Sequence, residues 1–319
     1  MPDVAVTGVG LCTPLGEFPH HGDRTALEHR DDLVGLPHTT AASVASIQLR
    51  PWLKRRKDRK LMARPSQLAL AAAGPALREW RGPRDALGLY VGVGREPGDD
   101  GESAAALIAA HRDGRVDEAA VAGPCRDVYP PLLPLKTLPN MALAHISIHL
   151  DVRGENGAWC GGAAAGMTAL RAAIWSIHEG RCDAALVVAS DTWVSAGAVR
   201  DLLRASGGAP IESPGEAGVA LLVESLASAS ARKAAVFARI GTARGGAPVN
   251  DPTRHRDRVG HCHAADAMMA VAFCIGRRAP SAWVEAQEGS QPAVGVSVAV
   301  DDGHACYDSG SRGDDRGGF

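Results

Sequence analysis

Residues 159–191 read WCGGAAAGMTALRAAIWSIHEGRCDAALVVASD, and this stretch decides the fold class. Small and apolar side chains recur at helical spacing from Ala163 to His178, and Gly180 can end that helix. The continuous apolar run at 185–190 is typical of a strand that is buried on both faces. A glycine-rich turn, a helix and a buried strand in this order are typical of an α/β fold.

The rest of the chain repeats this alternation. Apolar runs that begin at Val4 and at Leu87 predict buried strands, and residues 64–79 and 262–276 have helical spacing. Two later runs, SAWVEAQ and AVGVSVAV, predict closing strands. The alternation predicts an α/β protein with two layered halves and largely parallel, buried strands.

Composition excludes several classes of function. The chain has 34 basic and 36 acidic residues, so its overall charge does not favour nucleic acid or an anionic membrane surface. Seven cysteines lack metal-ligand spacing, which favours free thiols in a reducing compartment, without disulfides or zinc. There is neither a signal-peptide pattern nor a run of about 18 apolar residues. We therefore expect a cytoplasmic protein.

Six segments together resemble the β-ketoacyl synthase family. They are VAVTGVGLCTPLG at the start, RPSQLALAAAGPAL from 64, LPNMALAHISIHLDVRGENG at 138–157, EGRCDAALVVAS at 179–190, GEAGVALLVES at 215–225 and VGHCHAADAMMAVAF at 259–273. The resemblance implies a thiolase-like, five-layered αβαβα fold with a truncated C-terminal half, a dimer formed edge to edge across a central sheet, and no cofactor. The implied units are an N-terminal half (1–212), a shortened C-terminal half (213–308) and a disordered tail (309–319).

In the family that this chain resembles, a cysteine at a helix N-terminus and two histidines carry out decarboxylative condensation. The family's spacing, counted from Gly154 or back from Gly180, puts the nucleophile position at Ala163. Cys160 lies three residues earlier, whereas reactive geometry tolerates a misplacement of about 1 Å. We interpret Cys160 as a small buried side chain.

The other catalytic elements of the family are also changed. Gly260-His261 matches its second histidine, but the loop for the first histidine is missing, and His255 is too close in sequence to replace it. Asp301 and Asp302 stand where the family has glycines. The sequence therefore predicts no catalytic residue, with Ala163 at the nucleophile position and His261 as a remnant.

This pattern resembles the chain length factor, a non-catalytic paralogue in type II polyketide systems, including highly reducing and aryl-polyene systems. The resemblance implies a heterodimer with an active ketosynthase, contact with acyl carrier protein through that complex, and no nucleic-acid or membrane partner. The protein would bound the partner's acyl tunnel and set chain length. The predicted tunnel residues are Leu135, Leu138, Met141 and Leu143, for which ordinary helix core is the other interpretation.

Three alternatives stay open at this point. The basic segment KRRKDRK at 54–60 either docks an acidic acyl carrier protein or, as we expect, is a solvated face. Cys160 with His261 as base could support acyl transfer or hydrolysis in an independent enzyme. The chain could also be a purely structural subunit that solubilises its partner.

Overall fold

A computed structural model describes residues 3–16, 24–33, 40–94, 100–207, 209, 211–242, 255–278, 281–287 and 289–300. In these ranges eight strands form one large sheet, and in chain order they are β1 (Val4–Cys12), β2 (Leu87–Val93), β3 (Asn156–Cys160), β4 (Ala184–Thr192), β5 (Glu216–Ser225), β6 (Ala238–Gly241), β7 (Ala282–Ala286) and β8 (Val294–Val300). Their order across the sheet is β7-β8-β6-β1-β5-β4-β2-β3. Two small ladders pair Glu28–His29 with Thr40–Ala41 and His111–Arg112 with Arg115–Val116.

The same ranges contain six helices of ten residues or more. They are α1 (Arg64–Ala76), α2 (Asp100–Ala109), α3 (Met141–Leu150), α4 (Ala165–His178), α5 (Ala196–Ala205) and α6 (Asp266–Gly276). Shorter helical turns span Asp31–Leu33, Arg56–Leu61, Glu118–Ala120, Val121–Cys125, Arg126–Val128, Leu133–Thr137, Leu226–Ala231, Arg256–Val259 and His263–Ala265. None of the described helices is long and apolar enough to cross a bilayer.

The sheet is mixed, so the prediction of largely parallel strands is wrong. Strand β2 runs parallel to β3 and β4, whereas β5 is antiparallel to both β4 and β1. The pairs β1–β6, β6–β8 and β7–β8 are also antiparallel. Burial on both faces makes a strand apolar throughout in either direction, so the apolar runs could not reveal orientation.

The two ends of the sheet repeat one arrangement. Strand β5 lies antiparallel between β1 and β4, and β8 lies antiparallel between β6 and β7. Helix α4 precedes β4 in the chain as α6 precedes β7. Strands β2 and β3 have no counterpart in the described residues of the second half. The predicted fold class is confirmed, and in the described residues the C-terminal half has three strands of the large sheet where the N-terminal half has five.

The order of strands in the sheet indicates where the N-terminal half of the structure ends. The predicted boundary after residue 212 leaves β5 in the C-terminal half, but β5 lies between β1 and β4 of the N-terminal half. This strand therefore belongs structurally with the first half. The predicted tail at 309–319 lies outside the described residues.

The core has two parts. Helix α4 packs on β2 and β4 and also on β8, while α6 packs on β7, β8 and α4. Leu170, Ile174 and Met268 are fully buried in this first part. Leu68 of α1 and Ile146 of α3 belong to the second part, on strands of the N-terminal half. Helices therefore pack on the strands of the N-terminal half. This packing fixes the first residue of α4 relative to the sheet.

Two buried histidines on α3 hold the basic segment that follows Leu53. His149 accepts a hydrogen bond at Nδ1 from the backbone N–H of Lys54, 3.3 Å away. The Nε2 atom of His145 lies 3.2 Å from the carbonyl oxygen of Leu61. Burial lowers the pKa of both imidazoles, so both are neutral in the folded protein near pH 7.

We expect the free energy of unfolding to fall between about pH 7 and pH 5. Unfolded histidine titrates near pH 6.5, and the folded pKa of both side chains is lower, so the unfolded chain binds more protons in this range. The stabilisation is present above about pH 6.5 and is lost as the pH falls through the folded pKa. Urea unfolding at several pH values should show that the free energy of unfolding depends less on pH in the double variant His145→Gln, His149→Asn. Exposed His29→Gln is the control, and an unchanged slope in the double variant would contradict the assignment.

Candidate functional site

The turn before α4 is built as the sequence predicts. Strand β3 ends at Cys160, residues 161–164 form a turn, and α4 begins at Ala165, two residues later than predicted. Ala163 lies half-buried in this turn. The first turn of α4 has no side-chain cap. The predicted nucleophile position thus lies next to the positive end of a helix and carries a methyl group.

Cys160 is exposed, which corrects its predicted burial. It ends the strand at the rim of the sheet, where side chains alternate between exposed and half-buried. Its thiol contacts the carbonyl oxygen of Gly94 at 3.5 Å. The apolar character of the segment did not indicate that β3 is an edge strand.

His261 contacts a buried carboxylate. Its Nδ1 lies 2.5 Å from Oδ2 of Asp266, which also forms a 2.9 Å ion pair with Arg256. The other carboxylate oxygen accepts the backbone N–H of Cys262 at 2.8 Å and lies 3.3 Å from Nε2 of His255. Burial alone would raise the pKa of Asp266, but hydrogen bonds from the two histidines hold that pKa well below its usual range. Asp266 therefore stays ionised.

Sequence reasoning missed a second imidazole, that of His263. Its Nδ1 lies 3.3 Å from Oδ2 of Asp191, a fully buried residue at the end of β4. The same oxygen accepts the indole N–H of Trp193 at 2.9 Å and the backbone N–H of Ala264 at 3.2 Å. The His263 and His261 rings are perpendicular, with centroids 5.6 Å apart. The His-x-His spacing in VGHCHAAD was the available signal.

The segment that carries these histidines packs on the start of α4. A Cβ added at Gly166 would overlap the carbonyl oxygen of Ala264. A Cβ added at Gly94 would likewise overlap the carboxylate of Asp191. Because the Cys160 thiol contacts Gly94, the edge cysteine, the helix start and the two histidines belong to one region.

The neighbouring thiol of Cys262 differs from Cys160. Cys262 is fully buried, and burial raises the pKa of its thiol well above the usual value. Its thiol therefore stays protonated and unreactive near pH 7. In the described part of the chain, no group of three or more His, Cys, Asp or Glu side chains is arranged to hold a metal ion.

The four predicted tunnel residues occupy different environments. Leu138 lines a narrow crevice that reaches Gly94. Leu143 packs against the core beneath α1 and α3, and Met141 is half-buried at the start of α3. Leu135 is 51% exposed. Leu138 is therefore the member of the predicted set that lines the crevice beside the site.

A cavity of about 1230 Å³ opens beside the basic segment at 54–60. Apolar lining residues are Leu49, Leu53, Met62, Ala63 and Leu133, and the cationic ones are Arg50, Arg56, Lys57, Arg59, Lys60, Arg64 and Lys136. The wall is strongly positive although the net charge of the whole chain is −2. Such a cavity suits an anionic group attached to an apolar or flexible body.

The connection from β2 to β3 carries most of the exposed large apolar side chains in the described residues. Ten of the thirteen exposed large apolar side chains in the described residues lie between 107 and 148: Leu107, Ile108, Val116, Val121, Val128, Tyr129, Leu132, Leu135, Leu138 and Ile148. Strand β3 pairs with β2 on one side and with no described strand on the other. Exposed apolar side chains and an open sheet edge are each typical of a protein interface.

Comparison with known sequences assigns the chain to a family. The family described as "Beta-ketoacyl synthase, N-terminal domain" matches residues 1–212, well over half of the chain. The chain belongs to the β-ketoacyl synthase family. No curated protein sequence matches it closely enough to count as a relative.

Solved structures agree with the β-ketoacyl synthase assignment. The ishigamide ketosynthase/chain length factor is 18% identical with a TM-score of 0.71, and the match covers 94% of this chain and 99% of that chain. A beta-ketoacyl synthase from Burkholderia phymatum STM815 is 15% identical, with a TM-score of 0.70 and coverage of 94% and 100%. The AntDE:AntF complex, a type II PKS acyl-carrier protein with its ketosynthase bound to the hexaketide, is 14% identical, with a TM-score of 0.69 and the same coverage. At these identities the matches establish the thiolase-like fold.

Proposed function

We propose that this protein is a chain length factor, a non-catalytic subunit that forms a heterodimer with an active β-ketoacyl synthase and bounds that partner's acyl tunnel. The observation that carries the proposal is the position of Ala163, in the turn directly before α4. Covalent condensation needs a nucleophilic sulfur there, and removal of a nucleophile costs several orders of magnitude in rate. The family's acyl-enzyme step is therefore lost.

The accessible apolar surface supports heterodimerisation. The segment from Leu107 to Ile148 exposes apolar side chains that a lone soluble chain would leave in water. The backbone N–H of Leu89 donates to the carbonyl oxygen of Glu155, and the backbone N–H of Gly161 donates to that of Val93. The odd-numbered residues of β3 therefore direct their backbone N–H and C=O groups towards β2. The even-numbered residues of β3 therefore direct theirs to the open edge, ready for a partner strand.

Structures similar to this chain support the choice of partners. One similar structure contains a ketosynthase and a chain length factor, and another contains an acyl-carrier protein with its ketosynthase. By the proposal, this chain pairs with the ketosynthase and meets acyl carrier protein in the assembled complex. The positive cavity beside residues 54–60 suits the acidic surface of such a carrier, although a solvated basic face remains the simpler interpretation. A cytoplasmic location stays a prediction.

Co-expression with a neighbouring ketosynthase tests the proposal directly. The lone chain should be poorly soluble or self-associated, since its open edge and apolar surface stay exposed. Together the two chains should co-purify as a one-to-one heterodimer on size-exclusion chromatography. A stable lone monomer that does not bind the ketosynthase would contradict the proposal.

Leu138 is the sharpest test of the length-setting role. We expect Leu138→Trp to shorten the product, because the larger ring fills the crevice that reaches Gly94, and Leu138→Gly to lengthen it. Heterodimer yield is measured for each variant, and product lengths are compared only between variants that form the complex, because Leu138 also belongs to the exposed apolar set. Mass spectrometry of the products made by the reconstituted complex provides the measurement, with Leu226→Trp as an exposed control outside this region. Unchanged chain lengths in all Leu138 variants would favour a purely structural subunit.

Exposure of Cys160 supports a second candidate function. The thiol is accessible at the end of β3, and His261 lies in the same region as a candidate base for acyl transfer. Incubation with an acyl thioester followed by peptide mass spectrometry distinguishes the two candidates. Stoichiometric acylation of Cys160 would favour the enzyme, and an unmodified thiol would favour the chain length factor.

A further inference from the structure

The cavity beside the basic segment at 54–60 carries a positive charge that the described residues do not balance. Half of the described residues that line it are cationic, and none of them is acidic. Arg64 pairs with Glu216. No ion pair among the described residues includes Arg56, Lys57 or Lys60. These three cations lie on one short helical turn and repel one another, so an anion bound between them would stabilise the arrangement.

The basic segment is held in place by its neighbours. Its only acidic residue, Asp58, is 6% exposed and pairs with Arg55 at 3.2 Å, so its carboxylate does not line the cavity. The two buried histidines of α3 contact backbone atoms at both ends of the segment, those of Lys54 and Leu61. The cations of the cavity are therefore preorganised, which lowers the entropic cost of binding an anion.

The cavity also has an apolar part. It is formed by Leu49, Leu53, Met62, Ala63 and Leu133, and the alkyl stems of the lysine and arginine side chains add to it. None of the described lining residues is aromatic, so a nucleotide base has no ring to stack on here. A ligand that is only an ion would leave the apolar part in water, whereas an alkyl chain would cover it.

The size of the cavity distinguishes a small ligand from a protein partner. Its volume of about 1230 Å³ is sufficient for a small molecule, since such ligands occupy sites of roughly 300 to 1,000 Å³. The surface of an acidic protein would contact the exposed cations at the rim and leave the interior unfilled. Charge, lining and volume together favour a small molecule that is both anionic and apolar.

We propose that this cavity binds a small anionic amphiphile, which is an alkyl chain with a carboxylate or phosphate head. The head would lie at Arg56, Lys57 and Lys60, and the chain would pack against Leu53 and Ala63. The site goes beyond the proposed subunit function and does not depend on it. Binding is non-covalent and uses no residue of the turn before α4.

Displacement of a fluorescent fatty acid from the purified full-length chain tests the proposal. The probe is dansylaminoundecanoate, whose emission rises in an apolar site, and the competitors are used below their micelle concentrations. Decanoate and decyl phosphate should displace it, and the tighter of the two identifies the preferred head. We expect decan-1-ol to bind about 10-fold more weakly, because it lacks the charge. Added salt should weaken binding of the two anions and not that of the alcohol.

Chain length tests the apolar part without any change to the protein. Each methylene that enters the cavity should strengthen binding by roughly 3-fold. Hexanoate should therefore bind at least about 10-fold more weakly than decanoate. Equal affinities for hexanoate and decanoate would contradict an apolar subsite.

A charge-removing variant locates the site. The double variant Arg56→Gln, Lys60→Gln should weaken decanoate binding by about 5-fold and leave decan-1-ol binding unchanged. The matched control is Arg115→Gln, Arg200→Gln, which removes two exposed cations outside the cavity and should bind decanoate normally. Thermal melting shows whether each variant folds, and the competitor series on the unsubstituted chain tests the proposal independently of any variant.

Four results would overturn the proposal. They are equal displacement by decan-1-ol and decanoate, displacement by inorganic phosphate as effective as that by decyl phosphate, unchanged decanoate affinity in the folded double variant, and displacement by unacylated acyl carrier protein but by neither alkyl anion. The last result would favour docking of an acidic protein. Heterodimer formation with the ketosynthase is measured separately, so failure of either proposal leaves the other testable.

Discussion

Replacement of Glu216 by glutamine should lower the free energy of unfolding by about 3 kcal/mol. The Glu216 carboxylate is 0% exposed and accepts hydrogen bonds from the backbone N–H of Val44 at 2.7 Å and from the Thr192 hydroxyl at 2.9 Å. It also pairs with both ends of the Arg64 guanidinium, at 2.6 and 2.5 Å. An amide in its place brings an N–H group against these donors and leaves the cation without its anion. This loss is at the lower end of the range for breaking a buried ion pair, because the Arg64 side chain is 36% exposed.

Urea unfolding followed by tryptophan fluorescence measures this effect, and Asp201→Asn is the matched control. Asp201 forms an exposed ion pair with Arg204 one helical turn away, and such pairs contribute about 0.5 kcal/mol or less. An equal loss of unfolding free energy in the two variants would contradict the prediction that the buried Glu216 network stabilises the fold more than an exposed ion pair does. The network ties α1 to β5 and to the end of β4, so its loss should also loosen the strand that carries Asp191.

Replacement of Ala158 by proline should weaken the heterodimer by about 30- to 100-fold. Ala158 is the exposed middle residue of β3, and its N–H points away from β2, since Gly157 and Trp159 supply the bonds to that strand. No described strand pairs with this side of β3, so proline removes the outward donor and keeps the described bonds to β2. A partner carbonyl left unpaired at a closed interface costs about 2 to 2.8 kcal/mol, which corresponds to the stated change in Kd.

Ala158→Val is the matched control because it adds side-chain bulk and keeps the N–H. Titration of the tagged chain with its ketosynthase, read by fluorescence anisotropy, should give near-normal binding for valine and weak binding for proline. Equal affinities for proline and the unsubstituted chain would mean that β3 is not the shared edge. In that event the apolar surface between Leu107 and Ile148 would have to bind the partner by side chains alone.

Much of the fold follows from local patterns. The helical spacing before Gly180 and the apolar run after it predicted α4 and β4, and the structure has both within two residues of the expected limits. The region between Gly123 and Pro139 is rich in proline and forms only short helical turns, since proline cannot donate within a helix. The shortened second half was predicted because the segment between the strand ending near residue 243 and Gly260 is too short for the loop and helix that carry the family's first histidine.

The candidate site was only partly predictable. His261 and the methyl group at position 163 could be placed by counting from glycines along the chain. The contact between His263 and Asp191 could not be predicted, because 72 residues separate them in the sequence. A carboxylate at the end of a buried apolar run also gives no indication of which distant side chain it will contact. The exposure of Cys160 was not predicted for a related reason: the neighbours that bury a strand come from distant segments, and a local apolar pattern does not show that β3 lies at the edge of the sheet.

The sequence by itself determined the order of helices and strands, the shortened second half and the missing sulfur at the helix start. These depend on spacing along the chain, where backbone geometry sets which side chains share a face. Only the tertiary structure decided strand direction, the open edge of β3 and the meeting of two histidines with two buried carboxylates. Such features depend on contacts between segments far apart in the chain, and a pattern of apolar residues specifies burial without specifying the neighbour.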